Sequence, residues 1–433
     1  MGTISRNSDR IDAPALRAGV LRSGPGESVG ALVYGRLMRI LHTSDWHVGR
    51  TFHGVDLLAD QAAALEAVAR LVADEGVDVV VVPGDVYDRA VPAADAVTVC
   101  NRAFEAIRDA GAVIVATSGN HDSPARLGAG AAFASAGGLH LMTRVAEVAM
   151  PVVVSDEHGP VAFYGIPYLE PETTRVELGV PTARSHADIL DAAMGRIRGD
   201  LTARTDEGTP VRSVVLAHAF VVGAEATGSE RSISVGGVET VSASAFDGVD
   251  YVALGHLHSP QTLTDRVRYS GSPLPYSFGE RTHRKAVWIV DLDADGLAEV
   301  TRRDLPVVRG LSQLTGTVDE LLGDDAFESA VGDYVSAVLT DPVRPVDAMR
   351  VLQQRFPHLV HVEWVRPQGD TDLKYRDKVR GRTDRQIVTS FLTDVRAEPT
   401  ASELQWIERA LGVAARESDG AVAEKDRVGE SVA

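Results

Sequence analysis

The chain has 433 residues and a mass of 46.1 kDa, a length that predicts two or three domains and excludes a single small one. Its 43 basic and 61 acidic side chains give a formal net charge of -18, which argues against a protein that coats nucleic acid through a basic surface. The single cysteine, Cys100, excludes an intramolecular disulfide, and no apolar run approaches the roughly 20 residues that span a bilayer. We therefore expect a cytoplasmic protein without a membrane segment.

The patterned part of the sequence begins at Met38. Residues 1–37 are rich in glycine, serine and arginine without a hydrophobic period, so we interpret them as a disordered leader that need not be translated. Short apolar runs at 39–43, 77–82 and 112–117 then alternate with helical spacing, which predicts βαβ units with a buried parallel sheet. Cys100 lies on one of the helical apolar stripes and is predicted to be a core thiol.

Residues 139–304 are richer in strands. We predict strands at 148–154, 161–166, 211–217, 251–254 and 286–291, and a helix near 187–201. Strands beside a βαβ half indicate two packed sheets with helices outside, so 38–304 is predicted to be a four-layer α/β/β/α sandwich. From residue 305 the order becomes strand, helix, strand, helix, strand, which predicts a small α/β cap domain at 305–365 whose later helix carries Val346, Met349, Val351 and Leu352.

Two amphipathic helices are predicted near the C-terminus. The first places Ile387, Phe391 and Leu392 on one stripe, and the second opens with Thr400 and Glu403 in capping-box spacing. A helix with a single apolar stripe needs a surface to cover it, which is either a partner protein or the chain's own core. The predicted segments are a linker at 366–384, partner-binding helices at 385–415 and a disordered tail at 416–433.

Five segments place His, Asp or Asn just after predicted strands, where open α/β sheets hold their ligands. They are Asp45-Trp46-His47, Gly84-Asp85, Gly119-Asn120-His121-Asp122, His218 and Gly255-His256-Leu257-His258. Two divalent cations about 3.5–4 Å apart need oxygen donors, imidazoles and a shared carboxylate, and Asp85 is the natural bridge. Glycine before Asp85, Asn120 and His256 lets the backbone approach the cations. Mixed donors without cysteine favour manganese over a structural zinc site.

This series of D-x-H, G-D, G-N-H-D, H and G-H-x-H segments resembles the signature of the calcineurin-like metallophosphoesterase superfamily. Within it, the stretches MRILHTSDWHVGR, GDVYDRAVP, GNHDS, YVALGHLHSPQ and YSGSPLPYSFGE resemble the SbcD family of bacterial nuclease subunits. The likeness is dense from residue 38 to about 303 and looser to residue 416. It implies that one metal is held by Asp45, His47, Asp85 and His258 and the other by Asp85, Asn120, His218 and His256. It also implies that His121 is the catalytic residue, which contacts the scissile phosphate and assists the leaving oxygen.

The same resemblance implies a metal-dependent DNA nuclease, with double-strand exonuclease and hairpin or single-strand endonuclease activity, in which two metals activate a water. Its partners would be DNA ends, hairpins and an SbcC-like, SMC-type ATPase, in a homodimer within a heterotetramer that acts in DNA repair, recombination and replication at the nucleoid. The dimer contact would involve helices near 60–110. The chain has no G-x-x-x-x-G-K-[ST] loop, so ATP would come through the partner. The alternative is a metallophosphodiesterase that acts on small or cyclic nucleotides through the same metal residues.

Several residues beside the motifs have two interpretations. Asp122 either orients the neighbouring histidine or forms a turn, and Trp46 either packs in the core or stacks on a base. Segment 271–280 has no catalytic role in the sequence and is interpreted only as shaping a loop above the metals. Three arginines near the motifs either contact phosphate or are solvated surface residues: Arg50, Arg89 and Arg126.

Overall fold

The computed structural model describes residues 37–206, 211–225, 230, 240–365, 381–395 and 398–413. The predicted leader lies outside these residues apart from Leu37, and so do the predicted tail and residues 366–380 of the predicted linker. None of the helices in the described ranges is both long and apolar enough to cross a membrane.

The strands of the described chain are numbered in order. They are β1 Met38–His42, β2 Thr51–Phe52, β3 Val55–Asp56, β4 Val79–Pro83, β5 Val113–Thr117, β6 Leu139–Met142, β7 Val152–Asp156, β8 Gly159–Ile166, β9 Arg212–His218, β10 Tyr251–Gly255, β11 Gln261–Thr262, β12 Val267–Tyr269, β13 Ala286–Asp293, β14 Gly296–Asp304, β15 Leu311–Gly316, β16 Tyr334–Leu339 and β17 Leu359–Trp364. The helices are α1 Leu58–Glu75, α2 Ala94–Asp109, α3 Pro124–Leu127, α4 Ala131–Ala136, α5 Pro171–Thr174, α6 His186–Asp206, α7 Val318–Gly323, α8 Ala348–Leu352, α9 Asp384–Val395 and α10 401–413.

Two six-stranded sheets form the centre of the large domain. The first has the order β14-β13-β1-β4-β5-β6, in which β1, β4, β5 and β6 are parallel. The second has the order β11-β12-β10-β9-β8-β7, in which β8, β9, β10 and β12 are parallel. Strand β4 is buried along its whole length, as its β-branched sequence predicts for a strand that is covered on both faces.

Side chains alternate between two cores along the strands of the first sheet. Val80 and Val82 pack against α1 and α2, whereas Val79 and Val81 face the second sheet and pack in one cluster with Phe163 and other residues of β8. Helix α6 covers the outer face of the second sheet. The predicted four-layer α/β/β/α sandwich is therefore confirmed.

The predicted strand at 148–154 is wrong in its position. Residues Val145–Glu147 form a 3-10 turn, and the strand begins only at Val152. Pro151 has no backbone N–H to give to a ladder, and Val148 is fully buried in the core beneath α6. The apolar run that predicted one strand therefore serves two different structures.

A separate parallel sheet in the order β15-β16-β17 follows the sandwich. The helix that was predicted to include Val346 is wrong in its extent, because α8 covers only Ala348–Leu352 and Val346 is 86% exposed. Asp347 has a left-handed backbone with φ 54°, a conformation that a helix cannot include. The start of α8 is therefore fixed by the residue before it.

The small sheet contacts the large domain through Tyr334. Its hydroxyl donates a hydrogen bond to Asp60 Oδ2 at 2.9 Å, and its ring lies 5.6 Å from that of Phe52. Phe52, Tyr334 and Tyr276 belong to one buried cluster. The first turn of α1 therefore touches the small sheet directly.

Helices α9 and α10 contact each other through an ion pair between Arg385 and Glu408. The capping box predicted at the start of α10 is present, since the Thr400 amide donates to Glu403 Oε2 at 2.8 Å. Each helix also exposes a large apolar side chain, because Phe391 is 52% and Trp406 is 66% exposed.

Candidate metal centre

The predicted site residues lie where the carboxyl ends of the central strands of both sheets meet. The first sheet contributes the segments that follow β1, β4 and β5, and the second contributes the end of β9 and the segment that follows β10. Six predicted ligands are buried and Asn120 is half-buried. The structure brings all the predicted ligands together, and they are Asp45, His47, Asp85, Asn120, His218, His256 and His258.

One group of possible ligands consists of Asp45, His47 and His258, whose donor atoms lie within 4.8 Å of one another. Nε2 of His47 is 3.0 Å from Nε2 of His258 and 3.5 Å from Oδ2 of Asp85. Two nitrogen ligands about 2.1 Å from one ion and at right angles to each other lie about 3.0 Å apart. The spacing therefore fits a cation between these side chains.

A second group consists of Asp45, Asp85 and His218. Nε2 of His218 is 3.5 Å from Asp85 Oδ2 and 3.0 Å from Asn120 Oδ1, and the ring of His256 lies 5.3 Å from that of His218. Oδ2 of Asp85 is thus 3.5 Å from one histidine of each group. A carboxylate shared by two ions needs a position of this kind.

The backbone is strained at four of these ligands. The φ angles are 53° at Asp45, 45° at His47, 49° at Asp85 and 106° at His256. L-residues rarely adopt such angles, and each costs on the order of 1–3 kcal/mol unless the surroundings fix it. Strain of this kind clusters at functional sites, and here it turns the side chains toward one point.

Glycine is required beside the ligands because the loops approach one another closely. Gly84 has a φ of +84°, and a Cβ there would lie 2.4 Å from Nδ1 of His218. A Cβ on Gly119 would lie 2.1 Å from Oδ1 of Asp85. Contacts this short would displace the ligand side chains.

The buried histidines are neutral at neutral pH. Burial lowers the pKa of His218 and of His256 to about 3, and it also lowers the pKa of His47 and His258. Nδ1 of His218 donates to the carbonyl oxygen of Pro83 at 3.1 Å, so its Nε2 keeps a lone pair on the side of Asp85. These imidazoles can therefore bind a cation without first losing a proton.

The carboxylates of the site need a positive charge. Burial, and then the neighbouring Asp85, raise the pKa of Asp45 above its usual range. Two buried carboxylates at this separation repel each other, and a divalent cation between them removes the repulsion. The mixture of carboxylate, imidazole and amide oxygen fits a borderline divalent metal such as manganese.

His121 has one nitrogen fixed and one directed into the site. Nδ1 donates to the backbone carbonyl oxygen of Asp88 at 2.8 Å, and the His121 amide donates to Oδ1 of Asp85 at 2.9 Å. Nε2 is buried and has no hydrogen-bond partner among the described residues. A buried polar atom of this kind is expected to meet a water or a substrate oxygen.

Asp88 is a site residue that sequence reasoning missed. Its Oδ1 lies 3.7 Å from Nδ1 of both His47 and His121, in addition to the bond from its carbonyl oxygen to His121. A signal was present, because Asp88 follows Asp85 by three residues in the same G-D-V-Y-D motif.

Asp122 connects two of the ligand loops. Its carboxylate accepts hydrogen bonds from the amides of Val86, Tyr87 and Gly119 at 3.1, 2.9 and 3.0 Å. Burial, and then Asp85, raise its pKa to about 7. These backbone contacts favour the turn-forming interpretation of Asp122.

Trp46 packs in the core rather than at the surface. It is 1% exposed, its ring lies 5.4 Å from that of Phe104, and its Nε1 donates to Thr43 Oγ1 at 3.1 Å. Cys100 is fully buried in the same cluster, as predicted.

The three arginines near the motifs differ in position. Arg50 lies with its guanidinium 3.7 Å from Asp88 and 4.9 Å from the centre of the Tyr276 ring, beside the site. Arg89 and Arg126 are exposed. Arg50 is thus the one of these arginines that contacts residues around the metal ligands.

A sandwich of this architecture, with a cluster of carboxylates and imidazoles at its strand ends, defines a metallophosphoesterase. The model of the calcineurin-like phosphoesterase family matches residues 38–260, and the chain belongs to this family. It is 32% identical over 362 residues to the SbcD subunit of the nuclease SbcCD from Bacillus subtilis (strain 168), an alignment that covers 79% of this chain and 88% of that protein.

Two solved structures are also similar. TT1561 of Thermus thermophilus shares 15% identity with a TM-score of 0.37, and the match covers 63% of this chain and 100% of that one. A dimetal phosphatase from Danio rerio shares 13% identity with a TM-score of 0.38, over 62% of this chain and 99% of that one.

Proposed function

We propose that the chain is a metal-dependent DNA nuclease of the SbcD type, which hydrolyses phosphodiester bonds at DNA ends and hairpins. The observation that carries the proposal is the position of Asp85 Oδ2, 3.5 Å from Nε2 of both His47 and His218. The similarity to the SbcD nuclease of Bacillus subtilis over 88% of that protein supports DNA as the substrate.

The ligands would divide between two cations, which we propose to be Mn²⁺. When bound, the cations would supply positive charge for the phosphoryl oxygens and lower the pKa of the attacking water. Asp85 would serve both cations, and the neutral histidines would bind without proton loss. One cation would contact Asp45, His47, Asp85 and His258, and the other Asp85, Asn120, His218 and His256.

His121 would act on the leaving oxygen. The bond from Nδ1 to the Asp88 carbonyl oxygen fixes the ring, and Nε2 is left facing the site. In its protonated form Nε2 donates to the 3′ oxygen as the phosphorus–oxygen bond breaks. Loss of such a general acid typically lowers the rate by about 10²–10⁴-fold.

The net charge of -18 does not oppose this substrate. Two divalent cations place positive charge where the phosphate binds, and Arg50 adds a guanidinium beside the ligands. The remaining acidic surface can face solvent.

We further propose that the chain is the nuclease subunit of a cytoplasmic SbcCD-type complex. An SMC-type ATPase would dock on α9 and α10, where Phe391 and Trp406 are exposed, and the nuclease would dimerise within a heterotetramer. The support is the similarity to a protein that is named as a complex subunit.

The test is cleavage of end-labelled linear duplex and hairpin DNA by the full-length protein in Mn²⁺, with His121→Asn beside it. We expect the wild type to cleave and His121→Asn to lose about 10²–10⁴-fold in rate while it still takes up Mn²⁺ in a calorimetric titration. Turnover at the wild-type rate by metal-loaded His121→Asn would contradict the role of His121. Hydrolysis of a small phosphodiester but not of DNA, even with the ATPase partner present, would favour the small-nucleotide phosphodiesterase instead.

A further inference from the structure

A buried ion pair lies behind one half of the metal centre. Glu280 is 1% and Lys285 is 7% exposed. Nζ of Lys285 donates to Glu280 Oε2, to the carbonyl oxygen of His258 at 2.6 Å and to Ser272 Oγ at 3.0 Å. The ammonium therefore uses three donors, and one of them holds the backbone of a metal ligand.

Glu280 faces the other side of the same ligand. Its Oε1 accepts a hydrogen bond from the Tyr276 amide at 3.1 Å and lies 4.0 Å from Nδ1 of His258. Nε2 of His258 points the opposite way, toward Nε2 of His47. A histidine with one nitrogen toward the cation and the other toward a carboxylate is the arrangement that fixes the ring of a metal ligand.

The same loop also holds the backbone around His47. The Tyr276 hydroxyl donates to the carbonyl oxygen of Trp46 at 2.5 Å. Nε2 of Gln61 donates to the carbonyl oxygen of His47 at 2.7 Å and to the Tyr276 hydroxyl at 3.2 Å. These bonds surround the position where the backbone has a φ of 45°. The loop between β12 and β13 thus touches the two histidines of one group and no histidine of the other in these contacts.

Stability alone does not account for this pair. Burial of an ammonium and a carboxylate removes both from water, and apolar side chains of similar volume often stabilise a fold equally well or better. The contacts of the pair are instead directed at His258.

We propose that Glu280 and Lys285 are positioning residues that hold His258, and through Tyr276 also His47, in the orientation that binds one of the two cations. This inference rests on the proposed metal centre. The other half of the centre has a different anchor, because Nδ1 of His218 is held by the carbonyl oxygen of Pro83. Loss of the pair should therefore weaken one cation and spare the other.

The experiment measures Mn²⁺ stoichiometry and affinity by calorimetry and electron paramagnetic resonance on full-length protein. The variants are Lys285→Met, Glu280→Gln and the double variant Glu280→Met with Lys285→Met. The matched control is Arg212→Met, which breaks a buried ion pair with Asp156 at the other end of β9 from His218. Thermal unfolding without metal reports the stability of each variant.

We expect wild type to bind two Mn²⁺ and each single variant to bind one of them about 10–100-fold more weakly. The double variant should regain thermal stability relative to Lys285→Met, because no unpaired charge is left, but it should not regain the lost affinity. Arg212→Met should lose stability with unchanged affinities. If Lys285→Met does not fold, Glu280→Gln and the double variant give the same comparison.

Two results would overturn the inference alone: wild-type affinities for both cations in Glu280→Gln and the folded Lys285 variants, or a double variant that recovers affinity together with stability. Wild-type protein that takes up no Mn²⁺ would overturn the proposed function as well. The two failures are therefore distinguishable.

Discussion

At the scale of single residues, two glycines with positive φ meet different surroundings. Gly84 has a φ of +84° and lies against Nδ1 of His218, whereas Gly76, at the end of α1, has a φ of +63° and nothing within 4 Å of an added Cβ. The pair separates the cost of backbone strain from the cost of crowding at the ligand.

We expect Gly76→Ala to lower the free energy of unfolding by about 1–2 kcal/mol, which is the strain of a left-handed residue. Gly84→Ala adds crowding that typically costs a further 1–3 kcal/mol or so, and it should also weaken Mn²⁺ binding because His218 must move. Chemical denaturation of both variants without metal, followed by Mn²⁺ titration, checks this. Equal losses of stability in the two variants would show that the contact with His218 does not matter.

The ligands could be predicted from the sequence because each stands in a short motif directly after a strand, and strand ends meet at one edge of a sheet. The supporting residues could not be predicted in the same way. Lys285 contacts the backbone of His258 from 27 residues away, and Asp88 acts partly through its carbonyl oxygen. Such contacts depend on the folded loops and leave little trace in local sequence.

At the scale of elements, the strands of the sandwich were predictable because apolar runs of β-branched residues have few other structures available. The errors occurred where a single residue interrupts such a run. Pro151 delays β7, and the left-handed Asp347 excludes Val346 from α8. Strands of two or three residues, such as β11 and β12, are too short to show a period.

The helix pair α9 and α10 carries the prediction at this scale. Deletion of 385–433 should abolish retention of the ATPase partner in a pull-down, because Phe391 and Trp406 would be lost, and it should leave Mn²⁺ uptake unchanged. Trp406→Glu in the full chain is the control that removes one apolar contact without truncation. A truncated chain that still retains the ATPase would place the docking surface elsewhere.

At the scale of the whole molecule, Glu75 ties the outer helix layer to the first sheet. Its carboxylate accepts a hydrogen bond from Arg303 of β14, and Nη1 of Arg39 in β1 donates to its carbonyl oxygen at 3.0 Å. The bond from Arg303 holds the pKa of Glu75 below its ordinary value of 4.5. Glu75 therefore favours the folded state when ionised.

A lowered pKa predicts a stabilisation that is complete above about pH 4.5 and is lost as the pH falls through the lower folded-state pKa. Glu75→Gln should thus reduce the free energy of unfolding at pH 7 by about 1 kcal/mol or less, because both side chains are partly exposed. The difference from wild type should shrink as the pH falls below 4.5. Urea denaturation at several pH values measures it, and a difference that grows on acidification would contradict the assignment.

Asp60 and Gln61 are consecutive residues in the first turn of α1, and they bind in different directions. Asp60 accepts the hydroxyl of Tyr334 in the small sheet, and Gln61 donates to the carbonyl oxygen of His47. A hydrogen-bonded helical turn is stiff, so it acts as a rigid link between two joints. Force applied to the small sheet is carried through this turn to the backbone of a metal ligand, and the two sites cannot be displaced independently.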